Sequence, residues 1–134
     1  YTTLFRSTFV HAAEAMDADE VVVIYDRGIM DNKGYMSEEG FARLLQKWGL
    51  TQEELLARYD IVFHLVSTAK GAVGAYTLEN NHARMENPEE AAAVDDRLIA
   101  AWQDHPNFRV IYNADEFAGK MERLLRQVHA FLEE

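Results

Sequence analysis

A run of consecutive apolar residues that ends abruptly in charge constrains the fold of this chain more than any other feature. Residues 21–25 read Val-Val-Val-Ile-Tyr, and Asp26, Arg27 and Gly28 follow directly. An apolar run without alternating polar residues is typical of a strand buried on both faces, as in a parallel sheet covered by helices. The run therefore predicts a strand over residues 21–25, with the charged residues at its carboxyl end.

Two further apolar runs have the same character and predict two more strands. They cover residues 60–66 and 108–112, and segments with helical periodicity separate the three runs. Strands that alternate with helices indicate βαβ units. We therefore expect a single α/β domain over residues 1–134, with a mostly parallel sheet between two layers of helices. The carboxyl ends of all three strands are expected at one edge of that sheet.

Local patterns place the helices. Residues 2–17 read as an amphipathic helix, and Ser37 is expected to cap a helix that ends at Gly49. Thr51 begins a capping box that opens a short helix, and Asn87, followed by proline and two acids, begins a longer one.

The last helix is predicted to begin after Asp115 and to turn Phe117, Leu125 and Leu132 toward the core. Phe9 and Met16 are the corresponding inward residues of the first helix.

Composition excludes several classes of function. The net charge of −10 argues against general binding to nucleic acid, which relies on clustered lysine and arginine. There is no cysteine, so disulfides and thiolate chemistry are absent. No apolar run is long enough to cross a bilayer. We expect a cytoplasmic location, with which the absence of cysteine is compatible.

The leading candidate site follows the first predicted strand. A carboxylate such as Asp26 at a strand end can position Mg²⁺ through a water molecule, or accept a proton from an attacking hydroxyl. The planar guanidinium of Arg27 suits a phosphate group, and Asp31 lies just beyond. An Asp–Arg pair that only ends a strand and caps a turn remains an equal alternative.

A polar segment near the middle of the chain is the second candidate. It contains Tyr76, Asn80 and Arg84, and it precedes a well-capped helix. Arg84 is a candidate lid residue that neutralises charge on a transferring phosphoryl group. The alternative is a surface arginine paired with a nearby glutamate.

Two more candidates follow the second and third predicted strands. Lys70 lies in a loop of small residues after the second predicted strand. Asn113 directly follows the third predicted strand, residues 108–112, at a position where a nucleotide base would fit. A plain flexible loop is the alternative for Lys70.

The usual companion of such a site, the phosphate-binding loop G-x-x-x-x-G-K-[ST], does not occur in this sequence. The only Gly-Lys pair, Gly119-Lys120, lacks the upstream glycine and falls in a helical stretch. We therefore expect the sequence to lack the first strand and its loop.

Several motifs occur together and in order. They are Asp26-Arg27-Gly28, the run Tyr76-Thr77-Leu78-Glu79-Asn80-Asn81-x-x-Arg84, the helix that begins Asn87-Pro88-Glu89-Glu90, and Asn113…Phe117…Lys120. Together they resemble an AAA-type predicted ATPase family of P-loop NTPases with a nucleotide-kinase-like core. That family includes relatives of a GTP-binding protein implicated in TRP-channel trafficking.

The resemblance implies a P-loop kinase-like fold, ATP or GTP as substrate, and Mg²⁺ as cofactor. It makes Asp26 the Walker B-like acid, Arg27 a phosphate-site residue and Arg84 a lid residue. We expect phosphoryl transfer to a small acceptor in an intact parent protein, whereas this chain alone is expected to bind nucleotide weakly or not at all. A regulatory nucleotide-binding module and a non-catalytic fragment are the alternatives. A homo-oligomer that compensates for the absent strand is a further expectation.

Overall fold

The computed structural model describes residues 2–71, 87–114 and 116–134, with the backbone alone for residues 2–5. Within these ranges the chain forms six helices and two strands. In chain order they are α1 (Thr2–Glu14), α2 (Asp31–Tyr35), α3 (Glu38–Trp48), α4 (Gln52–Leu56), β1 (Val62–Leu65), α5 (Pro88–Trp102), β2 (Phe108–Ile111) and α6 (Phe117–Leu132).

The two strands pair in parallel, as the sequence predicts. Val62 lies opposite Phe108 and Leu65 lies opposite Ile111. Helix α5 falls between the two strands in the chain, which makes this a βαβ unit. The α/β class and the parallel pairing are therefore confirmed, in a sheet of two strands within the described chain.

The prediction of a strand over residues 21–25 is wrong. The segment belongs to no strand of the described chain, and Ile24 is 88% exposed. A strand exists only where a neighbour supplies hydrogen bonds to its backbone, and β1 and β2 pair with each other instead. The apolar composition of this segment is therefore not matched by burial.

The core lies between the short helices and the C-terminal end of α5. Its buried members are Ile29, Met30, Phe41, Leu55, Leu56, Ala101 and Trp102. Because Ile29 and Met30 directly follow the Asp26-Arg27-Gly28 sequence, the core anchors the candidate site from one side.

The caps predicted at Ser37, Gly49, Thr51 and Asn87 are confirmed. Ser37 Oγ accepts from the Gly40 N–H, and Gly49 ends α3 with a φ of 64° in the left-handed region. Reciprocal capping boxes open α4 at Thr51 and α5 at Asn87. Each of these motifs depends on residues within four positions, which is why the sequence alone reveals them.

Some predicted inward faces are not buried. Phe9 in α1 and Met16 after it are exposed, as are Phe117, Leu125 and Leu132 in α6. A helix buries its apolar stripe only where another element packs on it. The helix after β2 begins at Phe117, so its N-cap is Glu116; Asp115, the expected cap, lies outside the described residues. No helix within the described ranges is long and apolar enough to cross a membrane.

Candidate functional site

The Asp26-Arg27-Gly28 sequence forms a turn held by hydrogen bonds on its C-terminal side. The Gly28 N–H donates to Asp31 Oδ2 over 3.2 Å, and the Ile29 N–H donates to Tyr59 Oη over 3.1 Å. Burial of Ile29 then fixes the chain where the turn ends. The turn is thus anchored while Asp26 and Arg27 themselves remain exposed.

Gly28 allows the chain to approach an aromatic ring closely. A Cβ at this position would lie 2.4 Å from Trp102 Cζ2 and 2.6 Å from Cη2. This close approach is what requires a glycine at position 28. The positive φ falls on Arg27 instead, at 76°.

A left-handed backbone conformation destabilises a non-glycine residue by roughly 1–2 kcal/mol. Such conformations tend to occur where a side chain is held for a function. The left-handed backbone conformation of Arg27 therefore lowers the local stability of the fold.

Asp31 and Asp26 differ in how their carboxylates are used. Asp31 Oδ1 accepts from the Trp102 indole over 2.6 Å, and Oδ2 accepts from the Gly28 N–H. Asp26 is exposed, and within the described ranges no hydrogen bond or ion pair to its carboxylate is recorded. Asp31 therefore positions the turn, and Asp26 is the acid that is open to a ligand.

An open cleft of about 490 Å³ lies beside the turn. Its walls come from α1, the turn, α2 and Tyr59, which lies between α4 and β1. The lining residues are Arg6, Phe9, Tyr25, Asp26, Arg27, Gly28, Ile29, Asp31, Asn32, Tyr35 and Tyr59. A cleft of this volume is of the size that holds a small molecule. Three of the predicted site residues, Asp26, Arg27 and Asp31, meet here.

The expectation that Asp26, Lys70 and Asn113 lie together at the carboxyl edge of the sheet is wrong. The turn contacts Tyr59, which precedes β1, and Trp102, which ends α5. Lys70 and Asn113 follow the carboxyl ends of β1 and β2. Lys70 contacts Asp95 in α5. Asp95 lies seven residues before Trp102 in this helix, so about 10 Å along the helix axis separates Asp95 from Trp102. Without a strand over residues 21–25, nothing brings Asp26 to the carboxyl edge.

A buried ionic cluster occupies that carboxyl edge. Asp95 is 5% exposed, and its Oδ1 lies 2.9 Å from His64 Nε2 and accepts from the Ser67 N–H over 2.9 Å. Lys70 Nζ lies 3.0 Å from Asp95 Oδ2 and also contacts Asp96. Burial by itself raises the pKa of Asp95, but the bonds from His64, Lys70 and Ser67 outweigh it and lower this pKa to about 2.

Asn113 and Lys120 complete this edge of the sheet. The Asn113 amide donates to the carbonyl oxygens of Ser67, over 2.7 Å, and Lys70, over 2.9 Å. Lys120 Nζ donates to Asn113 Oδ1 over 2.8 Å and to the Val66 carbonyl. Burial lowers the pKa of Lys120. These bonds fix the loop after β1 to the end of β2.

Sequence reasoning gave no role to Asp95, Lys120, His64 or Arg6. A signal existed for Asp95, since it lies on the apolar stripe of α5 with Ala91, Leu98 and Trp102. A charged residue on a buried stripe requires a partner, and that observation predicts a cluster. No local pattern marks Arg6, because its contacts are far away in the sequence. Arg84, Tyr76 and Asn80 lie outside the described residues.

Asp26 is the residue of the cleft that could hold a magnesium ion through water. Mg²⁺ keeps several water ligands and needs only one or two carboxylates when phosphate is present. Asp26 supplies one such carboxylate. Within the described ranges, no group of three or more His, Cys, Asp or Glu side chains is arranged to hold a metal ion.

The comparison with protein families decides the kinship of this chain. Residues 3–119 match the family model described as AAA domain. The chain belongs to the AAA domain family. The match spans the Asp26 turn, Lys70 and Asn113, and it supports an AAA-type P-loop NTPase-like protein. No curated protein and no solved structure matches the chain.

Proposed function

We propose that this AAA domain binds a magnesium nucleotide, ATP or GTP, in the cleft beside Asp26. The observation that carries the proposal is the turn itself. It presents a carboxylate without a recorded partner and an arginine in a left-handed conformation at the mouth of an open cleft. Membership of a P-loop NTPase-like family supports nucleotide as the ligand.

In this proposal the residues of the Asp26 turn have separate roles. Asp26 would either hold a water ligand of Mg²⁺ or accept a proton from an attacking hydroxyl, Arg27 would bind phosphate oxygens, and Asp31 fixes the turn that carries both. When bound, Mg²⁺ neutralises charge on the phosphate oxygens. Lys70 and Asn113 stay outside this proposal, because at the carboxyl edge they bond to Asp95 and to the carbonyl oxygens of the loop after β1.

The polar segment that contains Tyr76, Asn80 and Arg84 is also part of this proposal. We assign Tyr76 and Asn80 to nucleotide binding and Arg84 to the lid. In a protein that also carries the phosphate-binding loop, the reaction proposed is nucleotide-kinase-like phosphoryl transfer within a three-layer P-loop fold. The family match supports the nucleotide, and the acceptor and the transfer step are our inference.

A titration followed by NMR tests nucleotide binding. Mg·ATP or Mg·GTP added to the ¹⁵N-labelled chain is expected to shift the amide signals of Asp26, Arg27 and Tyr59. Saturation is expected at roughly millimolar nucleotide, about 4 kcal/mol of binding free energy, because the row of N–H donors in a phosphate-binding loop is absent. Arg27→Ala is expected to abolish saturation, and Arg126→Ala, an exposed arginine on α6, to leave it unchanged.

Two results would overturn these expectations. Absence of a saturable shift around the cleft would exclude nucleotide binding by this chain. A micromolar Kd would show that the expectation of weak binding is wrong. Addition of EDTA distinguishes the role of Asp26, since binding through a magnesium water ligand must weaken when the metal is removed.

An exposed apolar segment favours a second function, a regulatory nucleotide-binding module that acts through a partner. Val21, Val22 and Ile24 are all exposed although their composition is that of a buried strand. A second copy of the chain is the partner proposed. Sedimentation velocity should then show a dimer that Ile24→Lys dissociates and Leu125→Lys, on α6, does not. A monomer at all protein concentrations would exclude this function.

A further inference from the structure

Arg6 reaches the cleft from α1 and contacts two tyrosine rings. Its guanidinium carbon lies 5.5 Å from the ring centre of Tyr25 and 5.1 Å from that of Tyr59. The two rings meet edge to face, with centres 5.9 Å apart. Arg6 also donates to the Arg58 carbonyl. The two cation–π contacts and this hydrogen bond together restrain the Arg6 side chain.

Two polar atoms of this group are buried and have no hydrogen-bond partner in the described chain. They are Arg6 Nε and the Tyr25 hydroxyl. Most buried donors in folded proteins are paired, and a buried donor without an acceptor destabilises the fold. Asp95 Oδ2 is the third such atom, but Lys70 lies 3.0 Å from it. Arg6 and Tyr25 are thus the residues whose donors still require an acceptor.

The cleft holds donors that suit an oxyanion beside two carboxylates. Among the described residues, Arg6 and Arg27 bring two guanidinium groups and no lysine lines the cleft. Of the two carboxylates, that of Asp31 already accepts from Trp102 and Gly28. The formal charges of these four side chains cancel, so what the cleft offers an oxyanion is the two guanidinium groups and not a net positive charge.

The cleft also offers aromatic surface. Phe9 and Tyr35 line it and are 60% and 58% exposed. Aromatic side chains with one face open to a cleft bind the flat face of a ring. A ligand with a ring at one end and an oxyanion at the other would contact both kinds of surface.

We propose that Arg6, Tyr25 and Arg27 form a binding site for the oxyanion of a ring-bearing ligand, either a phosphate monoester or a carboxylate. Arg6 Nε and the Tyr25 hydroxyl donate to one oxygen each after a small opening of the cleft, and Arg27 closes over the outer oxygen. The ring lies against Phe9 and Tyr35. This inference rests on the proposed function, since it names the part of the nucleotide or acceptor that the cleft holds.

Arginine side-chain NMR tests the proposal directly. The Nε–Hε signals of the ¹⁵N-labelled chain are followed while phenyl phosphate, benzoate, inorganic phosphate or sodium chloride is added at matched ionic strength. We expect saturable shifts of the Arg6 and Arg27 signals with phenyl phosphate in the millimolar range. The Nε atoms of Arg97 and Arg109 already donate to Gly34 O, over 2.8 Å, and Asn107 Oδ1, over 3.3 Å, so their signals should stay in place.

Matched variants identify the donors. Arg6→Lys keeps the charge but removes Nε, and Tyr25→Phe keeps the ring but removes the hydroxyl. Each is expected to raise the Kd for phenyl phosphate at least fivefold, whereas Arg126→Lys leaves it unchanged. If Arg6→Lys does not give the wild-type amide spectrum, Tyr25→Phe still tests the oxyanion site. Tighter binding of phenyl phosphate than benzoate identifies phosphate as the natural group, and equal binding supports the oxyanion site for both.

The outcomes separate this inference from the proposed function. If Mg·ATP shifts Arg27 while no ligand shifts Arg6, the oxyanion site is wrong and nucleotide binding stands. If phenyl phosphate shifts both arginines while Mg·ATP shifts neither, the oxyanion site stands and nucleotide binding fails. Equal movement of every arginine signal, in sodium chloride as well, would overturn the site altogether.

Discussion

The indole Nε1 of Trp102 donates a hydrogen bond of 2.6 Å to Oδ1 of Asp31, joining the end of α5 to the start of α2. The other oxygen of Asp31 accepts from the Gly28 N–H. One carboxylate therefore connects a buried tryptophan of the core to the turn that presents Asp26 and Arg27. The position of the candidate site depends on this pair.

Gly28→Ala is expected to destabilise the protein by about 1–3 kcal/mol, as overpacking of a tight contact does. The new Cβ would lie 2.4 Å from a ring carbon of Trp102, which cannot move away without breaking its bond to Asp31. Urea unfolding followed by circular dichroism measures the change.

A double-mutant cycle isolates that contact. In a Trp102→Leu background the two ring carbons nearest the new Cβ are gone, so Gly28→Ala should lose most of its effect. An equal effect in both backgrounds would show that the backbone conformation at position 28, rather than the tryptophan ring, requires glycine.

The carboxylate of Asp95 is expected to make stability depend on acid pH. Hydrogen bonds in the folded state lower its pKa from 3.8 to about 2. The unfolded chain therefore binds the proton more tightly, and the stabilisation is present above pH 4 and lost as the pH falls toward 2. The loss amounts to about 2 kcal/mol, at 1.36 kcal/mol per pKa unit. Urea unfolding at a series of pH values measures it.

Two variants assign the acid dependence to the cluster. Asp95→Asn should remove this part of the dependence and lower stability at pH 7, since His64 and Lys70 lose their partner. Asp96→Asn should change little, because its side chain is 70% exposed and exposed ion pairs contribute little. An unchanged acid profile in Asp95→Asn would contradict the assignment.

Asp26→Asn is expected to abolish turnover in a protein that carries the phosphate-binding loop together with this domain. The substitution keeps the shape of the side chain and removes the charge that we propose positions Mg²⁺. A coupled assay of nucleotide turnover measures the loss, with Asp17→Asn, another exposed acid, as the matched control. An unimpaired rate would mean that Asp26 has a structural role only.

Arg84→Ala, in the same protein, is expected to lower kcat by about 10³-fold or more, as the loss of a transition-state arginine does. The Kd for nucleotide and the Tm should change little, because a lid arginine meets phosphate only when the site closes. If Arg84 instead forms a surface pair, the loss is at most about 1 kcal/mol of stability and turnover survives. Arg126→Ala serves as the control for removal of an exposed arginine.

The sequence by itself determined the local structure of this protein. The caps at Ser37, Thr51 and Asn87 and the end of α3 at Gly49 all occur where the sequence predicts them. The two apolar runs that became β1 and β2 also pair in parallel as expected. Capping is decided by residues within four positions, and a βαβ order strongly favours parallel pairing.

The sequence also selected Asp26, Arg27 and Asp31 as a group, since three residues so close in the chain must share one region. It could not show that Asp31 turns toward Trp102, 71 positions away, and leaves Asp26 as the open acid.

The tertiary structure decided everything that depends on a distant partner. Residues 21–25 have the composition of a strand, yet no neighbour supplies backbone hydrogen bonds to them in the described chain. The contacts of Arg6 in the cleft are with Tyr25 and Tyr59, which lie 19 and 53 positions away in the sequence. Composition states what a segment is able to form, whereas burial and pairing depend on which surfaces the rest of the chain brings against it.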